Sequence, residues 1–321
     1  MSESTKKKKS PLFVIFVILA ITGATAFWYY TLYAPVNFEE FNDEITYRIP
    51  QDQSSVNQFN LELNADVGSF NIDLLPDSSS DAISIEWSCH YYMNSEHPSE
   101  LPINIEMNNF TLNNSLYFEL SILHSNSDLI KMLNLDVFIH LSPNFELYNL
   151  TGILNVGSVF MDLQDVTVGN LNFYSGTGSY QVSLTNTVIT AGFFVESDVG
   201  SIELDLDNID YVNNPTISLQ SSVGSIEIDL YQNYPVQSNV SFICFTDTGS
   251  IEIDMQSSHN ISLFDVYGDT STGSIDIELD EGVRLTDNHY CSTTYFPSNL
   301  PTFWISATTS VGSVDVDIEY F

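Results

Sequence analysis

Residues 222–230 read SVGSIEIDL, and close copies of this segment recur along the chain. Within it, Ile226 and Ile228 alternate with Glu227 and Asp229. Strict alternation of apolar and polar residues predicts a β-strand with one buried and one exposed face. The copies are DVGSFNIDL from residue 66, NVGSVFMDL from 155, GTGSYQVSL from 176, DVGSIELDL from 198, DTGSIEIDM from 247, STGSIDIEL from 271 and SVGSVDVDI from 310.

The spacing of these copies predicts a stack of coils. From Gly157 to Gly273 the repeat glycines are 21, 22, 24, 25 and 24 residues apart, a length typical of one turn of a solenoid. A second strand precedes each glycine, so each coil offers two short strands joined at a tight bend. Stacking would pair equivalent strands in parallel, about 4.8 Å apart. We therefore predict an all-β chain built as a parallel β-solenoid.

The predicted solenoid has a regular part, residues 151–321, and an irregular part, residues 56–150. The 89 residues between Gly68 and Gly157 are long enough for about four coils of degenerate sequence. The gap of 39 residues before Gly312 indicates a coil with an insertion. The last copy would then stand at the end of the stack with an open edge, either protected by charge or extended by another chain. The charged residues concerned are Asp315, Asp317 and Glu319.

The N-terminal segment predicts a membrane anchor. Four lysines within residues 1–10 precede an uncharged stretch over residues 11–33, which is long enough to span a bilayer as one helix. The lysines favour a cytoplasmic tail, and residues 34–55 would link the anchor to the extracellular part. The alternative is a cleaved signal peptide, because Ala24–Ala26 has the small-x-small form of a processing site. Both interpretations place the rest of the chain outside the cytoplasm, with the cell membrane as the expected location if the anchor is retained.

The charge balance excludes nucleic acid as a partner. The chain has 42 Asp and Glu against 7 Lys and Arg, for a net charge of −35. After residue 33 the basic residues are Arg48, Lys131 and Arg284, which leaves no patch that could neutralise phosphates. Hydrophobic residues make up 43% of the chain, so the charge does not imply disorder.

The repeats and the segments before them resemble a known family. An anchor segment, the strand pair FNLELNADVGSFNIDL, the segment LDVFIHLSPNFELYNLTGILNVGSVFMDL and successive x-x-G-S-[IV]-x-[IV]-x-[LMI] copies are similar to the putative-adhesin domains of unknown function on bacterial and archaeal envelopes. The resemblance covers roughly residues 56–321. It implies a right-handed β-helix-like fold and a surface location, and it supplies no catalytic residues. The acids along the repeats depart from the more mixed outer surface expected of that family.

The repeated acids predict two neighbouring columns of carboxylates on one face. They stand three and five residues after the glycines, where in-register stacking would place them one rung apart. Three interpretations stay open: a solvated face that favours solubility, a Ca²⁺ site between rungs, and a docking face for a basic protein. The candidate metal ligands are Glu203, Asp205, Glu227, Asp229, Glu252, Asp254, Asp276 and Glu278.

Enzyme signatures are missing from the sequence. There is no HExxH, GxxxxGK[ST], GxSxG or CxxC motif, and the histidines lack ligand spacing. The odd number of cysteines excludes a complete disulfide framework, and Cys244 is expected to be a buried core thiol.

We therefore predict a non-enzymatic cell-surface protein with a structural or adhesive role, whose partner is an envelope protein or a glycan. A Ca²⁺-dependent carbohydrate- or protein-binding module is the first alternative, and for glycans it would need an aromatic platform. A polysaccharide hydrolase with two catalytic acids is a minor alternative. The candidate platform residues are Tyr174, Tyr180, Tyr211 and Tyr231.

Overall fold

The structure is a computed structural model that describes residues 38–50, 56–94, 103–124, 130–258, 262–280, 282–286, 288–292 and 300–321. Every regular element in these ranges is a β-strand, which confirms the all-β prediction. None of the described residues forms a helix of the length and apolarity that a membrane crossing needs. The predicted basic tail and anchor, residues 1–33, lie outside the described residues. Residues 38–50 of the predicted linker form a strand.

The strands form one hydrogen-bonded network. They are β1 (Phe38–Pro50), β2 (Gln58–Leu74), β3 (Asp81–Asn94), β4 (Ile103–Leu112), β5 (Ser115–His124), β6 (Ile130–Leu141), β7 (Leu147–Gln164), β8 (Thr167–Thr177), β9 (Tyr180–Thr185), β10 (Val188–Ile189), β11 (Phe193–Val199), β12 (Ile202–Asp207), β13 (Asp210–Tyr211), β14 (Thr216–Val223), β15 (Ile226–Gln232), β16 (Val240–Thr248), β17 (Ile251–Ser257), β18 (Leu263–Thr272), β19 (Ile275–Leu279), β20 (Gly282–Thr286), β21 (His289–Ser292), β22 (Thr302–Val311) and β23 (Val314–Tyr320).

The repeats pair in parallel and in register, as predicted. We name each coil after its glycine, the strand before the glycine its leading strand, and the strand after it its trailing strand. In the trailing ladder, Ile202 stands opposite Ile226, and Ile226 stands opposite Ile251. In the leading ladder, Val195 stands opposite Leu219. Equivalent side chains therefore form continuous rows along the stack.

The order of the last coils differs from the prediction. Strand β23 pairs with β17 on one side and with β19 on the other, and β22 lies likewise between β16 and β18. The Gly312 coil is therefore inserted between the Gly249 and Gly273 coils, and the prediction that it carries the open edge is wrong. The reason is the 39-residue gap, part of which forms the hairpin β20–β21. Strand β21 pairs antiparallel with β18 and so takes the edge on which a further leading strand would add.

The region before Gly157 is also organised differently. Strand β2 pairs directly with β7, with Gly68 opposite Gly157, so the predicted four coils between them do not exist. Strands β5 and β6 pair in parallel with the two halves of β2, while β1, β3 and β4 add antiparallel. A two-residue turn joins β4 to β5 at Asn113 and Asn114, whose φ angles are 50° and 65°. Such positive values are typical of a type I′ hairpin turn.

The glycines form a corner that other residues would not fit. Gly224 has a φ of 154°, a conformation that residues with a Cβ rarely adopt. A Cβ added there would overlap the carbonyl oxygen of Gly200, and one added at Gly312 would overlap that of Gly249. We call this row the glycine corner. It requires glycine both for its backbone conformation and for the close approach of neighbouring coils.

Hydroxyl groups inside the stack secure the glycine corner. The residue three places before a glycine donates to the glycine carbonyl of the preceding coil, for example Ser221 Oγ to Gly200 O at 2.8 Å and Thr246 Oγ1 to Gly224 O at 3.0 Å. Thr309 makes the same bond to Gly249 at 3.0 Å, in agreement with the inserted position of its coil. These hydroxyls are buried, where a polar group needs a partner.

The interior of the stack is aliphatic and aromatic. The inward residues of β15, β17 and β23 are almost completely buried, for example Ile228 at 0%, Ile253 at 0% and Val316 at 0% exposure. Burial of such side chains stabilises a fold by roughly 1.5–3 kcal/mol each. The outward residues between them, such as Glu227 and Asp229, are exposed, so the predicted alternation is confirmed.

Candidate functional site

The trailing ladder brings the repeated acids together on one outer face. Register places Glu203 opposite Glu227 and Glu227 opposite Glu252, and the row continues through Asp315 to Asp276. We call this row the first acidic column. The second acidic column lies two residues further along each strand. In stack order it contains Asp205, Asp229, Asp254, Asp317 and Glu278. The two columns together form the acidic face.

The insertion of the Gly312 coil changes which candidate ligands are neighbours. Six of the eight predicted residues occupy consecutive coils, but Asp276 and Glu278 are separated from them by Asp315 and Asp317. Asp315 and Asp317 therefore lie inside the acidic face and not at its end. Their sequence pattern was visible, but their place depended on the order of the coils.

Partial burial, followed by repulsion between neighbouring carboxylates, raises the pKa of several carboxyl groups on the acidic face. Partial burial, together with the charges of Glu203 and Asp229, raises the pKa of Asp205. Partial burial followed by the charges of Asp229, Glu252, Asp317 and Asp315 raises the pKa of Asp254. The pKa of Glu227 is raised by the same two causes. The face is thus a place where negative charge accumulates at an energetic cost.

In the part of the chain that the structure describes, three ion pairs lie off the acidic face. Ion pairs there join Arg48 to Asp81, His140 to Asp73 and His289 to Asp265, and these aspartates lie off the acidic face. The face ends towards the N-terminal coils at Gln181, whose Nε2 donates to Glu203 Oε1 at 3.1 Å. Its charge is therefore available to solvent ions or to a partner.

The metal hypothesis requires carboxylates of the two columns to converge on one ion. Within the described ranges, no group of three or more His, Cys, Asp or Glu side chains is arranged to hold one metal ion. A shallow depression of about 380 Å³ is lined by residues of the second column and their neighbours, among them Asp205, Asp229 and Asp254. A bound divalent cation would therefore need these side chains to turn towards one another, since Ca²⁺ takes six to eight oxygen ligands.

Two of the four tyrosines predicted for an aromatic platform lie in the core. Tyr180 and Tyr211 are buried, with 2% and 0% exposure, so their assignment as surface residues is wrong. They follow the inward phase of the alternation, which is why they pack in the core. Tyr174 donates its hydroxyl to Asp198 Oδ2 at 2.9 Å, and Tyr231 stacks on Phe321 with ring centroids 5.2 Å apart.

Cys244 is a core residue, as predicted. It lies on the inward side of β16 with 1% exposure, and burial raises the pKa of its thiol to about 12. A thiol with such a pKa stays protonated at neutral pH and is unreactive.

Comparison with known proteins gives solved structures only. No family model and no curated protein matches the chain. A putative cell adhesion protein from Clostridium sporogenes is similar over 87% of this chain and 100% of its own, with 12% identity and a TM-score of 0.45. A putative adhesin from Bacteroides fragilis covers 86% of this chain and 96% of its own, with 14% identity and a TM-score of 0.33.

Proposed function

We propose that the chain is a non-enzymatic cell-surface protein with a structural or adhesive role, in which a β-solenoid presents the acidic face to its surroundings. The observation that carries this proposal is the in-register pairing of two carboxylate columns along the trailing ladder. An extended face of one charge fits contact with a surface or a partner of opposite charge better than it fits a single catalytic point.

The distribution of outward residues supports an interaction role for the face. The leading ladder, made by the same coils, carries a mixed row that is acidic only at its two ends and reads, in stack order, Glu196, Gln220, Phe245, Thr308 and Asp269. A need for solubility alone would be met by acids on either ladder. Their concentration on the trailing ladder therefore favours a specific use of that side.

The proposed absence of enzymatic activity has its own support. Glycoside hydrolysis needs a pair of carboxyl groups with distinct roles, whereas acids on this face repeat with the coils. The raised pKa values of Asp205, Glu227 and Asp254 share their causes and single out no acid–base pair.

The location can be tested on intact cells. A cysteine introduced as Ser225→Cys would lie on an exposed position next to the glycine corner. We expect a membrane-impermeant maleimide to label it in intact cells that produce the full-length chain. The variant is made together with Cys291→Ser, because Cys291 is partly exposed, and the control is Cys244, whose buried thiol should react only after denaturation. Labelling of Ser225→Cys only after lysis would contradict the proposed surface location.

The adhesive role can be tested with a charge-matched pair of variants. The test variant is Asp205→Asn with Asp229→Asn and Asp254→Asn. The control removes three exposed acids outside the face, as Asp77→Asn with Glu86→Gln and Glu106→Gln. Cells carrying the full-length chain should attach to immobilised poly-L-lysine, and the test variant should weaken attachment about tenfold more than the control. Equal losses would show that net charge alone decides attachment.

A further inference from the structure

The two ladders end differently at the Gly273 coil. The leading strand β18 pairs on its outer edge with β21 over residues 265–267. The trailing strand β19 pairs with β23 on one edge, and among the described residues no register pairs its other edge with a strand. Among the described residues, the outer edge of β18 therefore has a strand partner along part of its length, whereas the outer edge of β19 has none.

Backbone donors of β19 face this open edge. In the coils before it, the N–H of Ile251 donates to Ser313 O at 2.9 Å, and the N–H of Val314 donates to Ser274 O at 3.0 Å. The equivalent donor in β19 is the N–H of Ile275, which points away from β23. Because alternate residues of a parallel strand bond to the same neighbour, Ile277 and Leu279 point their N–H groups the same way.

The apolar interior is also less covered here than inside the stack. Val314, Val316 and Ile318 are 1%, 0% and 0% exposed, whereas Ile275 and Leu279 at matching positions are partly exposed. The neighbouring strand β20 begins against Leu279 and exposes Val283 at 45% and Leu285 at 54%. The open edge is therefore bordered by apolar surface on which an added strand could pack.

We propose that the outer edge of β19 is a strand-addition site for an extended segment of another protein in which Lys or Arg alternates with aliphatic residues. The added strand would bond to the N–H groups of Ile275, Ile277 and Leu279, and its aliphatic residues would continue the core. Its outward residues would lie about 4.8 Å from Asp276 and Glu278, which are exposed. Basic residues there would meet opposite charge, so the acidic columns select the chemistry of the partner.

A second copy of this chain fits the site less well. The trailing strands from β12 onwards carry carboxylates at both outward positions, so self-addition would extend the repulsion. The basic residues Arg48 and Arg284, which lie in β1 and β20, belong to neither ladder of coils. The partner is therefore expected to be a different protein.

The test uses the full-length chain and labelled peptides that imitate a coil. The first peptide, STGSIKIKL, has lysine at both outward positions; the second, STGSIEIEL, has glutamate; the third scrambles the first. Fluorescence anisotropy should show the lysine peptide binding at least tenfold more tightly than either of the others. Added salt should reduce its advantage, because exposed charge pairs are screened. Equal binding of the lysine and scrambled peptides would overturn the proposal.

Two variants locate the binding. Ile275→Pro removes an outward N–H while leaving the bonds to β23, and proline is tolerated where an edge N–H faces solvent. It should weaken the lysine peptide at least tenfold with an unchanged unfolding midpoint. If that variant is unstable, Asp276→Asn with Glu278→Gln decides: it should abolish the preference for lysine over glutamate, while Asp77→Asn with Glu86→Gln should keep it. A retained preference for the lysine peptide in Asp276→Asn with Glu278→Gln would overturn the proposal. Concentration-dependent self-association through this edge, measured by sedimentation, would also overturn it.

Discussion

The glycine corner and the acidic face both repeat in successive coils, but they repeat for different reasons. At the corner, a Cβ on Gly224 would overlap the backbone of the neighbouring coil, so the fold itself demands the residue. On the face, Glu227 and Asp229 are exposed, and partial desolvation, followed by the charges of neighbouring carboxylates, raises the pKa of Glu227. The backbone conformation does not require these acids, and the repulsion between them opposes folding. Recurrence at the corner therefore reports on structure, while recurrence on the face points to function.

The largest effect on stability is expected at the glycine corner. We expect Gly224→Ala to lower the free energy of unfolding by about 3 kcal/mol or more, because it combines a disfavoured φ with a backbone overlap. Gly192→Ala is the matched control, since nothing lies within 4 Å of a Cβ added there. Urea unfolding followed by circular dichroism measures both. Equal effects would mean that the corner tolerates a side chain.

Substitutions on the face should act in the opposite direction. Asp205→Asn with Asp229→Asn and Asp254→Asn should raise the free energy of unfolding at pH 7 by about 0.5–1 kcal/mol, because three mutually repelling charges are removed. The gain should shrink as NaCl is added, since salt already screens the repulsion. A loss of stability at all salt concentrations would show that the carboxylates make favourable contacts.

The pH dependence should report the same repulsion. Burial and neighbouring charges raise the pKa of Asp205 and Asp254 above 3.8 and that of Glu227 above 4.5. A carboxyl group with a higher pKa in the folded chain binds protons more readily there, so its contribution to stability increases as the pH falls through this raised range. The advantage of the triple Asn variant over the natural chain should therefore decrease by a few tenths of a kcal/mol between pH 7 and pH 4.5. A pH-independent advantage would contradict this.

The smallest expected effect is that of divalent cations. Because no three carboxylates among the described residues converge, we expect Ca²⁺ and Mg²⁺ at equal ionic strength to raise the unfolding midpoint alike, by no more than about 2 °C. Thermal unfolding of the full-length chain in EDTA, then with each ion, measures this. A calcium-selective rise that the triple Asn variant abolishes would instead establish a metal site on the face.

The sequence was sufficient to predict the strands and their faces, but not the order of the coils. Alternation in GSIEIDL places Ile226 inside and Glu227 outside without any knowledge of neighbours. The segments GSIDIEL and GSVDVDI carry the same pattern, so either could stand next to β17 with equal register. The order of these two coils is determined by the hairpin β20–β21, which pairs with β18 and contains no copy of the repeat.

Two other differences between prediction and structure, the antiparallel strands before Gly157 and the buried tyrosines, correspond to signals in the sequence. The Asn113–Asn114 pair is a hairpin signal and argued for antiparallel strands in place of degenerate coils. Tyr180 and Tyr211 stand in phase with inward residues, so the alternation itself identified them as core. The hydroxyl three places before the glycine, as in Ser221 and Thr246, was also readable as a repeat, but its role required knowing that coils approach at the corner.

The inserted position of the Gly312 coil has a consequence for how the protein is made. Residues 302–320 leave the ribosome after residues 263–279, yet they lie between those residues and the strands β16 and β17. The stack therefore cannot be completed by adding coils one after another during synthesis. Strands β18 and β19 must either wait or pair first with β16 and β17 and then separate, a late rearrangement that should make folding slow.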